Sequence, residues 1–125
     1  MEMNIEAAKE LLTLYKSITI EQIKEKYKLY KEGLRVMLHL TGFSSDTQCK
    51  LCISAKAIAK SSVSIIQCSH CIYSLVSEKK SFHCLNKTYN KLAYSDTPET
   101  TYETLQERIK FLEETINTYE KLQKV

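Results

Sequence analysis

Apolar residues recur along this chain in steps of three and four, the spacing of one face of an α-helix. Ile20, Ile23, Tyr27, Tyr30, Leu34 and Met37 make one stripe, and Tyr102, Leu105, Ile109, Leu112, Ile116 and Tyr119 make a second with the same steps. The first begins behind Thr19, where Gln22 three residues on completes a capping box and Ile18 and Ile23 are placed for a hydrophobic staple. Its end is expected near Thr41, with Gly42 as C-terminal cap. The second starts at Pro98, a favoured first-turn residue, behind Thr97 as cap. A shorter amphipathic helix from Asn4 to Lys16 carries Ile5, Leu11, Leu12 and Tyr15 and is expected to cover the other two as a third layer. Asn86 to Tyr94 reads as one more short helix before a turn at Ser95–Pro98.

Heptad-like stripes on two long helices predict that they pack against one another at a shallow angle. Charge suggests the direction. Lys24 and Lys31 flank the first stripe, and Gln106, Glu113 and Glu120 flank the second. An antiparallel register that sets Lys24 near Glu120 and Lys31 near Glu113 also sets Tyr27 opposite Tyr119, Leu34 opposite Leu112 and Met37 opposite Ile109. Exposed pairs of this kind contribute only about 0.2–1 kcal/mol each, enough to select a register and too little to hold a fold. Stripes of this type can also join two copies of one chain, so a homodimer stands as an alternative.

Composition narrows the class. With 125 residues the chain predicts a single domain, 1–125, and at 43% hydrophobic it can bury a core of its own. Only two glycines and one proline argue against a turn-rich β protein. The expected fold is mainly α: helices over 1–42, a cysteine-bearing insert over 43–85, and C-terminal helices over 86–125. The net charge of +3 is mild for a nucleic-acid binder. MEMNIEAAKE shows no secretory signal pattern, and no eighteen apolar residues follow one another, so a cytoplasmic protein with no membrane partner is expected.

Four of the five cysteines fall within CKLCISAKAIAKSSVSIIQCSHC, residues 49–71. Cys49-x2-Cys52 and Cys68-x2-Cys71, with fifteen residues between the pairs, match the spacing of a zinc site. Two thiolates separated by two residues can turn inward from one tight turn. Two such turns give Zn²⁺ four sulfur ligands at about 2.3 Å, a closed shell that organises structure and leaves no position for substrate. The ion's binding energy then becomes folding energy for the insert. ISAKAIAK predicts a helical turn after the first pair, whereas SSVSII reads as one strand of a small hairpin with CIYSLV as its partner. Lys50, Lys56, Lys60 and His70 could temper the excess negative charge. Cys84, His83 and His70 are alternative ligands, Cys84 also reading as a small buried thiol, and the same four thiolates would suit an iron–sulfur cluster. His39, beside the apolar stripe, reads as a core-edge residue.

The paired motifs resemble zinc-ribbon or treble-clef knuckles. The layout of helix pair, compact cysteine insert and trailing Cys84 resembles small zinc-binding proteins of phages and mobile elements. That resemblance implies a non-catalytic protein-interaction module acting in the host cytoplasm, a viral inhibitor that occludes a host enzyme or defence complex in the manner of anti-CRISPR proteins.

Two further readings stand beside it. Lys24, Lys28, Lys31 and Arg35 recur at helical spacing with Tyr27 and Tyr30 among them, as in a nucleic-acid-binding zinc-ribbon protein or transcription regulator. Glu21, Glu25 and Glu32 interrupt that run. A thiol redox protein could use either cysteine pair, but the βαβ pattern that normally accompanies one is missing. Neither His-Glu-x2-His nor His-x-Glu with a following cysteine pair occurs, and Gly33 and Gly42 are isolated, so no hydrolytic metal centre and no phosphate-cradling loop is expected. No catalytic residue is assigned.

Overall fold

A computed structural model describes residues 3–41, 50–60, 70–76, 91–92 and 94–123, the side chains of Leu34, Lys50, Leu51, Cys52 and Val76 apart. It is mainly helical, with no strand among the described residues. The helices are α1 (Ile5–Ser17), α2 (Ile20–Tyr30), α3 (Gly33–Thr41), α4 (Lys50–Ala59) and α5 (Pro98–Gln123), with a 3₁₀ helix at Ile72–Val76.

The caps lie where the sequence places them. Thr19 Oγ1 accepts from the Gln22 amide at 3.2 Å while Gln22 Oε1 accepts from the Thr19 amide at 2.8 Å, so two otherwise orphaned donors of α2 are satisfied. Both staple residues, Ile18 and Ile23, are buried. Thr97 Oγ1 accepts from the Thr100 amide at 3.1 Å behind Pro98.

The first long helix, expected over 19–41, is two helices. Lys31 takes a left-handed conformation (φ 56°) that ends α2, and α3 restarts at Gly33. Tyr30, Leu34 and Met37 keep the heptad step across the break, so the apolar spacing alone does not reveal it.

The register differs as well. The acidic flank of α5 is met by α1: Lys9 pairs with Glu120 at 3.7 Å and Lys16 with Glu113 at 3.6 Å. Tyr27 of α2 then meets Thr101. Seven residues forward in α1 answer seven back along α5, and the next eleven forward answer twelve back. α1 and α2 therefore run in series, antiparallel to α5. Tyr27 lies at the start of α5, far from Tyr119. The N-terminal helix is a direct partner of α5 and not an outer cover. A lysine at a seven-residue step recurs as Lys9/Lys16 and as Lys24/Lys31, and only packing distinguishes the two pairs.

The core fills the angle between these elements. Ala8, Leu11 and Tyr15 of α1, Ile23 and Tyr27 of α2, and Val36 and Met37 of α3 are buried with Leu105, Ile109, Leu112 and Ile116 of α5. Burial of each large apolar side chain contributes roughly 1.5–3 kcal/mol. The α5 stripe is thus covered from within one chain, as far as the described residues go.

The turn before α5 is closed by a polar knot. Ser95 O accepts from the Gly33 amide at 3.1 Å and from Tyr27 Oη at 3.1 Å. Ser95 Oγ donates to Leu92 O at 2.6 Å. Thr101 Oγ1 touches both the Ser95 and Tyr27 hydroxyls and gives its single proton to one of them. Ser95, Tyr27 and Thr101 are buried, so each group finds its partner here and not in water. Gly33 is required by proximity: a Cβ there would lie 2.1 Å from Ser95 Oγ and 2.4 Å from Leu92 O.

Candidate metal segment

Cys49, Cys68, Cys84 and His83 lie outside the described residues, as does SSVSII. Cys52 falls in the first turn of α4. The helical turn expected of ISAKAIAK is present as α4, which packs on α1 through buried Ala55. Lys60 follows it in the left-handed region (φ 55°), its amide donating to Lys56 O at 2.8 Å.

The second pair ends in better-defined surroundings. Cys71 is 8% exposed, and Ile72 and Tyr73 after it are fully buried. CIYSLV, expected as a strand, is instead the 3₁₀ helix Ile72–Val76, opened by the Ser74 amide donating to Cys71 O at 2.9 Å. A strand would send successive side chains to opposite faces. Burying Cys71, Ile72 and Tyr73 in succession calls for the tighter winding.

Two hydrogen bonds fix this segment to the start of α1. The Asn4 amide donates to His70 O at 3.1 Å, and Asn4 Oδ1 accepts from the Ile72 amide at 2.8 Å. Asn4 therefore brackets Cys71 from both sides. Its side chain makes no capping bond to α1, although it sits at the N-cap position. It is 3% exposed. Behind the bracket, the Tyr73 ring stacks on Phe111 of α5 with centroids 5.6 Å apart, and buried Arg108 lies over Tyr73 at 4.8 Å from the ring centroid. The guanidinium thus meets the negative face of a desolvated ring.

Asn4, Tyr73 and Arg108 were not legible as participants. An asparagine ahead of an amphipathic run signals a cap, and nothing local says that its side chain is taken by residue 72. Arg108 sits one helical step from Leu105 and Leu112, so a mixed face was visible, but not its aromatic partners.

The remaining candidates are dispersed. Lys28 lies 2.9 Å from Glu25 and Arg35 lies 3.7 Å from Glu32, while Lys24 and Lys31 are exposed. Tyr27 is buried in the polar knot and offers no face to a base. Tyr30, which packs against the core, stacks on the exposed His39 with ring centroids 3.9 Å apart. His70 is half-buried. Among the described residues no three His, Cys, Asp or Glu side chains converge as a metal site, and no helix is long and apolar enough to cross a membrane.

A shallow groove of about 550 Å³ lies between the 91–96 turn and α5, lined by Tyr94, Asp96, Glu103 and Glu107 among others. Lys91 pairs with Glu107 across it at 3.0 Å, and Tyr94 stands 85% exposed at its side.

No family model, curated protein or solved structure matches this chain.

Proposed function

We propose that this protein is a non-catalytic helical interaction module whose mid-chain insert is held by one Zn²⁺ on Cys49, Cys52, Cys68 and Cys71. The observation that carries the reading is the placement of Cys71. It is buried between two hydrogen bonds to Asn4, at the foot of a segment packed on α5. A redox or nucleophilic thiol must reach its substrate, so a buried and bracketed cysteine suits a structural ligand better. The donor set agrees, because four soft thiolates in two x2 pairs close the shell around zinc. The buried hydroxyls of Tyr27, Ser95 and Thr101 are taken up by one another and by the Ser95 and Leu92 carbonyls.

The task of such a module is to present a surface to a partner protein. Tyr94, the most exposed large hydrophobic side chain among the described residues, stands beside a groove rich in carboxylates. Exposed aromatic residues of this kind commonly anchor interfaces. The inhibition of a host enzyme or defence complex is the form of this reading that the phage-like layout suggests.

Elemental analysis of the purified, reduced chain tests the metal, with one zinc per chain expected and none in Cys71→Ser. A coloured protein containing iron would replace zinc with a cluster. Affinity capture from host lysate with Tyr94→Ala as the paired control tests the surface. A partner retained by the parent chain and lost by the variant supports it, and equal retention contradicts the place assigned to Tyr94.

A further inference from the structure

We infer that Asn4 is a positioning residue for the metal ligand Cys71, so that the first turn of α1 forms part of the metal site's supporting shell. The inference rests on the tetrathiolate reading above and extends it to a residue that carries no ligand atom.

The two bonds from Asn4 are directional. Its amide holds His70 O at 3.1 Å and its Oδ1 holds the Ile72 amide at 2.8 Å, so the peptide groups on either side of Cys71 are fixed to one residue. With Asn4 and Cys71 both buried, water cannot easily replace either partner. The backbone of Cys71 is thereby set before an ion arrives, and less conformational freedom is lost when it binds. Hydrogen bonds that orient a ligating residue typically contribute about 10- to 100-fold in metal affinity. Asn4 also anchors α1, its carbonyl accepting from the Ala8 amide at 3.1 Å. Metal at the second cysteine pair and docking of α1 are therefore coupled through one residue.

Asparagine suits this position for a chemical reason. Its Oδ1 accepts the Ile72 amide without adding a charge next to thiolates, and its reach is longer than that of serine. Serine would still serve as N-cap for α1, so Asn4→Ser removes the side-chain bond to the Ile72 amide while keeping the backbone bond to His70 O and the helix start. Asn4→Asp keeps an acceptor oxygen in the same place.

The test titrates Zn²⁺ against a competing chelator, and Co²⁺ as a spectroscopic probe of sulfur ligation, into the full reduced chain and both variants. Helix content is recorded in parallel. Asn4→Ser is expected to bind Zn²⁺ about 10- to 100-fold more weakly, with the thiolate-to-cobalt band of four sulfur ligands kept at saturation. Asn4→Asp keeps the acceptor oxygen but adds a charge beside the thiolates, so it is expected to bind Zn²⁺ more tightly than Asn4→Ser and less tightly than the parent. Its melting temperature provides a second readout: Asn4→Ser should fall further below the parent with zinc present than with chelator present. Parent and Asn4→Ser binding zinc equally would overturn the inference and leave the tetrathiolate reading intact. A parent chain that binds no metal would remove the tetrathiolate reading and this inference with it.

Discussion

Single residues decide where this chain bends. Gly33 sits so close to Ser95 Oγ and Leu92 O that even a methyl group has no space. Gly33→Ala is expected to destabilise by about 1–3 kcal/mol, the usual range for overpacking, as measured by urea denaturation. Lys31 presents the opposite case. It holds a left-handed backbone that favours glycine, and its side chain is exposed. Lys31→Gly should therefore stabilise by roughly 0.5–1 kcal/mol, and a loss of stability would show that the lysine makes a contact of more value than the strain it carries. Tyr27→Phe removes one hydroxyl from the knot at Ser95 while preserving the ring in the core. A cost of roughly 1–2 kcal/mol is expected, because the buried Ser95 carbonyl and Thr101 hydroxyl each lose a partner.

At the scale of elements, the register of α1 and α2 on α5 is the feature that most shapes the molecule. Lys16→Glu and Glu113→Lys should each destabilise slightly, and the double variant should recover about 0.2–1 kcal/mol, the range for exposed pairs. Added salt should shrink that recovery. Lys31→Glu combined with Glu113→Lys should show no coupling. Helix existence and caps were legible because they depend on neighbours in sequence: Thr19 with Gln22, Thr97 with Pro98, and the apolar steps of α5. The break at Lys31–Glu32 was hidden by a stripe that continues through it, although Gly33 was a signal that close packing would make decisive. Register was ambiguous for a physical reason, since the same seven-residue lysine step occurs as Lys9/Lys16 and as Lys24/Lys31, so charge alone fits either pair. The 3₁₀ form of Ile72–Val76 follows from burial of three consecutive residues, which no alternation in CIYSLV foretells.

For the whole molecule, the antiparallel series of α1 and α2 on α5 forms a scaffold, and among the described residues the cysteine segment joins it at two places. α4 rests on α1, and the 3₁₀ helix rests on α5 with Asn4 across its start. A metal ion gripping both cysteine pairs would tie those two attachments together, so its removal should loosen the insert and α1 more than the knot at Ser95. Amide exchange with and without chelator is expected to show faster exchange at Ile72 and in the first turn of α1, with the Gly33 amide little changed.

The most direct measurement is native mass spectrometry of the reduced chain beside its Cys71→Ser variant. One zinc ion is expected on each parent chain and none on the variant, with a lower melting temperature for the variant. A parent chain that carries no metal and melts identically with and without chelator would contradict the tetrathiolate reading.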